Sequence, residues 1–154
     1  MSNSISPLGL TGVPQIITLP AATTAYTLSQ VESGSIISIG ALNAPCTITL
    51  PPVSSPGCNF TVVVTANLTQ ALTISAQTLC LRGFGLQPTA VGVAASVTNS
   101  IATGVAAGTA QTSVIVSAAN SRPGDRLQFQ CDGFQWFWQG WAGNAIANAV
   151  FTYL

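Results

Sequence analysis

The chain has 154 residues, and its only charges are Glu32, Arg82, Arg122, Asp125, Arg126 and Asp132, giving zero net charge with neither lysine nor histidine. Three arginines are too few to neutralise a run of phosphates or to hold an anionic membrane, so nucleic-acid and membrane-surface partners are not expected. Without histidine and lysine, histidine-dependent triads and Ser–Lys pairs are impossible.

A length of this order fits one domain that buries roughly 70% of its unfolded surface. Mean hydropathy is positive, at +0.54, yet polar residues interrupt every apolar run before the roughly eighteen residues of a spanning helix. The segment MSNSISPLGLTG has no basic region followed by an apolar core, so no secretory signal is expected. Charged residues are 4% of the chain, against about 25% in soluble domains. A net charge near zero favours association. The composition therefore predicts a neutral exterior of hydroxyls and amides, partly covered by neighbouring subunits.

Residues 1–14, with Pro7, Gly9, Gly12 and Pro14, read as an extended N-terminal arm or tail, and residues 15–154 as the folded domain. From there two-residue alternation dominates. Strands are predicted at QIITL (15–19), SIISI (35–39), PCTITLPP (45–52) and NFTVVVT (59–65). Further strands follow at ALTIS (71–75), TLCL (78–81), SVIVS (113–117), RLQFQC (126–131) and VFTYL (150–154). Turn chemistry separates them at Glu32-Ser33-Gly34, Pro51-Pro52, Ser55-Pro56-Gly57, Arg82-Gly83 and Pro123-Gly124. In the Ala/Gly-rich stretch 90–110 one or two strands are expected around VGVAASVT, followed by a loop. ITLP occurs at 17–20 and again at 48–51, and in both places proline, which cannot donate to a ladder, ends a strand. Short strands at this density predict an all-β fold: a single antiparallel β-sandwich, jelly-roll-like, of about 8–10 strands.

The stretch RLQFQCDGFQWFWQG (126–140) is predicted as a hairpin closed by a two-residue turn, Asp132-Gly133. Continuing the alternation puts Phe134, Trp136 and Trp138 on one face, with Gln135, Phe137 and Gln139 on the other. Three large aromatics on a single face read as core. Phe137, isolated among glutamines, reads as a contact surface, and Trp138 and Trp141 are expected to belong to it.

The cysteines are Cys46, Cys58, Cys80 and Cys131. They read as buried free thiols, with a Cys46–Cys58 bridge across a turn as the alternative. Absent any CxxC spacing, a four-thiolate metal site is the remote third reading, and no metal or cofactor is expected. Asp125 and Asp132 bracket one strand and stand roughly 23 Å apart, whereas paired catalytic carboxylates need about 5–9.5 Å. Gly83-Phe84-Gly85 lacks the lysine and spacing of a phosphate loop. Arg122, Asp125 and Arg126 read as a local ion pair around a Pro-Gly turn. No enzymatic activity is expected.

The ordered pieces TITLPPVSSPGCNFTVVV (47–64), LTISA (72–76) and DRLQFQCDGFQWFWQG (125–140) carry a resemblance. They resemble the small β-sandwich modules of tail fibres, decoration proteins and minor capsid proteins of phages and large DNA viruses. In those modules an I-T-L-P-P strand end precedes a glycine turn and a valine-rich strand, and a D-G-x-x-W hairpin closes the unit, matched here by Asp132, Gly133 and Trp136. The resemblance covers about residues 24–140; the four cysteines and the scarcity of charge depart from it. It implies a non-enzymatic virion component, often trimeric, whose partners are copies of itself and other capsid proteins. The rival expectation is a carbohydrate-binding module in which Trp138 or Trp141 stacks on a sugar. The sequons at Asn59 and Asn67 would matter only in a secretory lumen and are taken as chance.

Overall fold

A computed structural model describes residues 15–86, 111–143 and 150–153. The expected arm at 1–14 and the whole Ala/Gly-rich stretch 90–110, including the strands expected around VGVAASVT, lie outside the described residues. Among the described residues there are eleven strands: β1 (Ile16–Leu19), β2 (Ala25–Thr27), β3 (Ile36–Ile39), β4 (Cys46–Thr49), β5 (Asn59–Val64), β6 (Leu72–Ser75), β7 (Leu81–Leu86), β8 (Ser113–Val116), β9 (Arg126–Cys131), β10 (Trp136–Trp141) and β11 (Phe151–Tyr153). They form two packed sheets, one ordered β1-β3-β5-β9-β10-β7 and the other β11-β8-β6-β4-β2. The all-β sandwich is as the alternation predicts.

The pairing is not. Five of the nine strand pairs are parallel, namely β1–β3, β3–β5, β10–β7, β2–β4 and β4–β6. The antiparallel, jelly-roll-like expectation is therefore corrected to a mixed topology. From β1 to β6 the chain crosses from one sheet to the other after every strand, so odd strands collect in one layer and even strands in the other. Each circuit lays its strands beside those of the circuit before, in the same direction. Ile16 stands beside Ile36 and Ile36 beside Thr61, advances of 20 and then 25 residues. The coils are unequal in length, which is why the sequence shows only the ITLP echo instead of a regular repeat. The two copies of ITLP fall in different sheets, at the ends of β1 and β4.

β7 begins a fourth circuit but does not join β5. The antiparallel β9–β10 hairpin occupies the place between them, β9 pairing with β5 and β10 with β7. Two glycine bulges close the β5–β9 ladder. At one end the Gly57 N–H and the Cys58 carbonyl both bond Cys131; at the other the Gly124 N–H and the Asp125 carbonyl both bond Val64. Gly57 has φ +82° and Gly124 +99°, the left-handed backbone such a bulge demands of its first residue.

Apolar side chains from both layers fill the interior. Phe60, Val62, Leu127, Phe129, Trp136 and Trp138 come from the six-stranded sheet, and Ile48, Leu72, Ile74, Val114 and Val116 from the five-stranded one. The Trp136 indole N–H donates to the Pro51 carbonyl at 3.0 Å, tying β10 to the chain leaving β4 in the opposite layer. Trp138 meets Phe151 of β11 edge to face, ring centroids 6.0 Å apart.

The predicted turn at Arg82-Gly83 is corrected by the same packing. Residues 81–86 are strand, and the glycines are there for room. A Cβ on Gly83 would collide with the Trp138 carbonyl and lie 2.6 Å from its Cδ1, while one on Gly140 would lie 2.9 Å from both Trp138 and Phe151. The TLCL strand expected at 78–81 correspondingly begins only at Leu81, and β2 was not anticipated.

Candidate functional site

The two outer faces divide the polar chemistry between them. On the five-stranded sheet the outward rows run Ala25, Thr47, Thr73 and Thr27, Thr49, Ser75, a surface of small hydroxyls. On the six-stranded sheet the outward residues of β9 are Arg126, Gln128 and Gln130, and those of β10 are Phe137, Gln139 and Trp141. β7 adds Arg82, beside Phe137, and Phe84, beside Gln139. Phe137 is 46% exposed and Phe84 40%. Two phenylalanines one row apart, set among three amide side chains with Arg82 and Arg126 on the same face, give a surface that accepts and donates hydrogen bonds and offers apolar area for burial.

Phe137 lies where the alternation predicts, outward among glutamines. Trp138 does not extend that surface: it is 1% exposed, packed inward with Trp136. This corrects the expectation that Trp138 offers a contact or stacks on a sugar. Trp141 is half-buried, and the Arg126 guanidinium stands 4.8 Å over its ring, covering a face that a sugar would need. Phe84 was missed because glycines on both sides made it read as a turn. The alternation Arg82-x-Phe84-x-Leu86 carries the signal that would have found it.

The hairpin connection is longer than predicted. Trp136 pairs with Cys131, so four residues, 132–135, make the turn. The Asp132 carboxylate Oδ1 accepts the N–H groups of Phe134 and Gln135 at 2.8 and 2.7 Å. Those two bonds hold its carboxyl below the usual range. Gly133 takes φ +99°. Phe134 consequently leaves the inner face, where alternation placed it, and stands 81% exposed at the loop tip.

The other charged groups serve the frame. Asp125 is buried at the start of β9, where Oδ2 accepts the Arg122 N–H and Oδ1 the Gly143 N–H, both at 2.7 Å. Burial pushes its carboxyl up, against the downward pull of those donors and of the Arg122 charge. The expected side-chain ion pair is replaced by this backbone pairing: the Arg122 guanidinium turns to the carbonyls of Ser121 and Ala119, at 2.7 and 3.2 Å. Glu32 closes a 3₁₀ turn (Gln30–Glu32), taking the Ser29 N–H at 2.8 Å, the Ser29 hydroxyl at 2.7 Å and the Tyr26 phenol. Burial raises the Glu32 carboxyl, but the bonds from Ser29 and Tyr26 outweigh it and the net direction is down. Glu32, Asp125 and Asp132 are thus each engaged separately.

All four cysteines are free and buried. The alternative Cys46–Cys58 bridge is corrected on geometry. Cys46 opens β4 in the five-stranded sheet, whereas Cys58 precedes β5 in the other layer and at the opposite end of the sandwich. A disulfide needs Cα atoms within about 7 Å. Cys58 instead faces Cys131 across the bulge, whose thiol donates to the Val53 carbonyl at 3.4 Å. Burial pushes the Cys46, Cys58 and Cys131 thiols up, away from the reactive thiolate form. Among the described residues no group of three or more His, Cys, Asp or Glu is placed to hold a metal ion.

Comparison of the chain with protein-family models, curated proteins and solved structures gives no match.

Proposed function

We propose that the protein is a non-enzymatic structural component of a virus particle, of the minor capsid, decoration or fibre type, and that it works by associating with copies of itself and with other capsid proteins. The virion assignment rests on the motif resemblance at 47–64, 72–76 and 125–140. Self-association rests on the outer face of the six-stranded sheet: Phe84 and Phe137 stand exposed among Gln128, Gln130 and Gln139. Apolar burial and amide hydrogen bonds drive docking of such a face; its charges are two arginines with no carboxylate among the outward residues, so salt screens them without breaking any ion pair between two such faces.

Light scattering over a concentration series tests this directly. The expected result is a mass above that of the monomer which persists from dilute buffer to molar salt, and a lower mass for Phe137→Ser. A chain that stays monomeric throughout, or that dissociates with salt alone, would overturn the proposal. No observation favours glycan stacking, since Trp138 is buried and Trp141 lies beneath Arg126.

A further inference from the structure

Two of the four buried thiols stand opposite each other. Gly57 and Cys58 form the bulge that ends the β5–β9 ladder, and both bond Cys131. The Gly57 N–H donates to the Cys131 carbonyl and the Cys131 N–H donates to the Cys58 carbonyl, each at 2.9 Å. Directly opposed residues of an antiparallel ladder have Cα atoms about 4.5–5.5 Å apart, inside the range of about 4.4–6.8 Å that a disulfide spans. Both side chains also point the same way. Cys58 and Cys131 are 3% and 2% exposed, and the next inward pair along the ladder is Phe60 facing Phe129.

The other two cysteines have no such neighbour. Cys80 precedes β7, and its carbonyl accepts the N–H of Trp136, which lies opposite Cys131. Strand β10 therefore stands between Cys80 and Cys131, and two strand spacings put them about 9–10 Å apart, too far for a bond. Cys46 lies in the other layer. The facing thiols are free: that of Cys131 donates to the Val53 carbonyl at 3.4 Å, and that of Cys58 is hydrogen-bonded to the Ser33 hydroxyl. Joining them needs a rotation of each side chain about χ1, and the ladder already supplies the backbone spacing.

We propose that Cys58 and Cys131 are an oxidisable dithiol, closed to an intramolecular disulfide by a small external disulfide such as oxidised glutathione. One cysteine loses its proton, and its thiolate attacks the reagent to give a mixed disulfide and one glutathione thiolate. The second cysteine, likewise deprotonated, attacks the protein sulfur of that mixed disulfide, forming the Cys58–Cys131 bond and releasing the other glutathione thiolate. The two released thiolates take up the two protons. The pair thus gives up two electrons and two hydrogens, and one reagent disulfide becomes two thiols. Because the thiols are buried, the reagent reaches them when the ladder opens locally. Cys131 is the last residue of β9 and Cys58 immediately precedes β5, so opening this rung takes less than global unfolding. The bond pins β5 to β9 and closes a loop of about 70 residues, which restricts the unfolded chain. It stands whether or not copies of the chain associate.

The test incubates the native full-length chain, reduced and then freed of reductant, with oxidised glutathione and counts its thiols in denaturant. The expected result is a fall from four thiols to two, with no retained glutathione and no covalent dimer. Peptide mapping is expected to join Cys58 to Cys131, and Tm to rise by roughly 4–16 °C in a shift that reductant reverses. Cys80→Ala is expected to lose two thiols all the same, whereas Cys58→Ala keeps its three or carries glutathione on Cys131 alone. Intact cooperative unfolding confirms that each variant folds, and the peptide map of the wild type needs no variant. Survival of all four thiols in the native chain would overturn the proposal. So would a bridge to Cys46 or Cys80, stable glutathione adducts on both Cys58 and Cys131 in place of a bond, or a bridged chain no more stable than the reduced one.

Discussion

Replacing Gly83 by alanine tests the packing that turns RGFG from a turn into a strand. A methyl group there collides with the Trp138 backbone carbonyl and reaches within 2.6 Å of its Cδ1. Trp138 cannot retreat, because its ring is held against Phe151 and lies in the closed interior. Overpacking of this kind costs about 1–3 kcal/mol, and a backbone obstacle places it toward the upper value. The alanine also narrows the unfolded ensemble, which returns about 0.4–1 kcal/mol. The net loss is then about 2 kcal/mol out of a total stability on the order of 5–15 kcal/mol, which for a chain this size lowers Tm by roughly 4–8 °C. Gly40→Ala is the matched control, since a Cβ at that position meets nothing within 4 Å; it is expected to leave stability unchanged or raise it by up to about 1 kcal/mol. Urea unfolding followed by tryptophan fluorescence reads both. Equal stability for the two variants would refute the close approach of β7 to Trp138 and return residues 82–85 to a loop.

Trp136→Phe removes the donor to Pro51 and leaves a buried carbonyl unpaired, so a loss of about 2–4 kcal/mol is expected in the same unfolding assay. The Tyr26 phenol is pushed up to about 12 by its bond to Glu32, with burial and the Glu32 charge acting in the same direction. The fold therefore retains the protonated phenol: this stabilisation is complete below pH 10, the ordinary tyrosine value, and is lost as pH rises from 10 to about 12. Two pH units correspond to about 2.7 kcal/mol, and solvent screening at this half-buried position reduces that to about 1 kcal/mol. The stability difference between wild type and Tyr26→Phe should shrink by that amount across the window, with the buried thiols cancelling in the comparison. Alkylation should label all four cysteines in denaturant and none rapidly in the native state; a native population with only two reactive thiols after unfolding would contradict the free-thiol assignment.

The alternation of apolar and polar residues made the strands legible but was misread as antiparallel pairing. Alternation reports that one face of a strand is wet; it says nothing about the direction of the neighbour. Parallel strands usually read as continuous apolar runs because helices cover both faces. Here β3, β5 and β6 pair in parallel and still alternate, because their other face is open. The candidate surface was partly legible for the same reason: Phe137 among glutamines predicts an outward aromatic wherever its strand pairs. Phe84 was not, since glycine is equally at home in a turn and beneath a large ring.

Composition and local pattern by themselves determined an all-β chain, an inward-facing Trp136, a scarcity of charge and the lack of histidine and lysine. These follow from short-range chemistry, namely side-chain periodicity, turn preferences and the count of ionisable groups. The tertiary structure alone decided that successive strands alternate between layers, that the β9–β10 hairpin separates β7 from β5, and that Cys58 faces Cys131. Each of these depends on which distant segments lie side by side, and residues tens of positions apart leave no local trace of being neighbours.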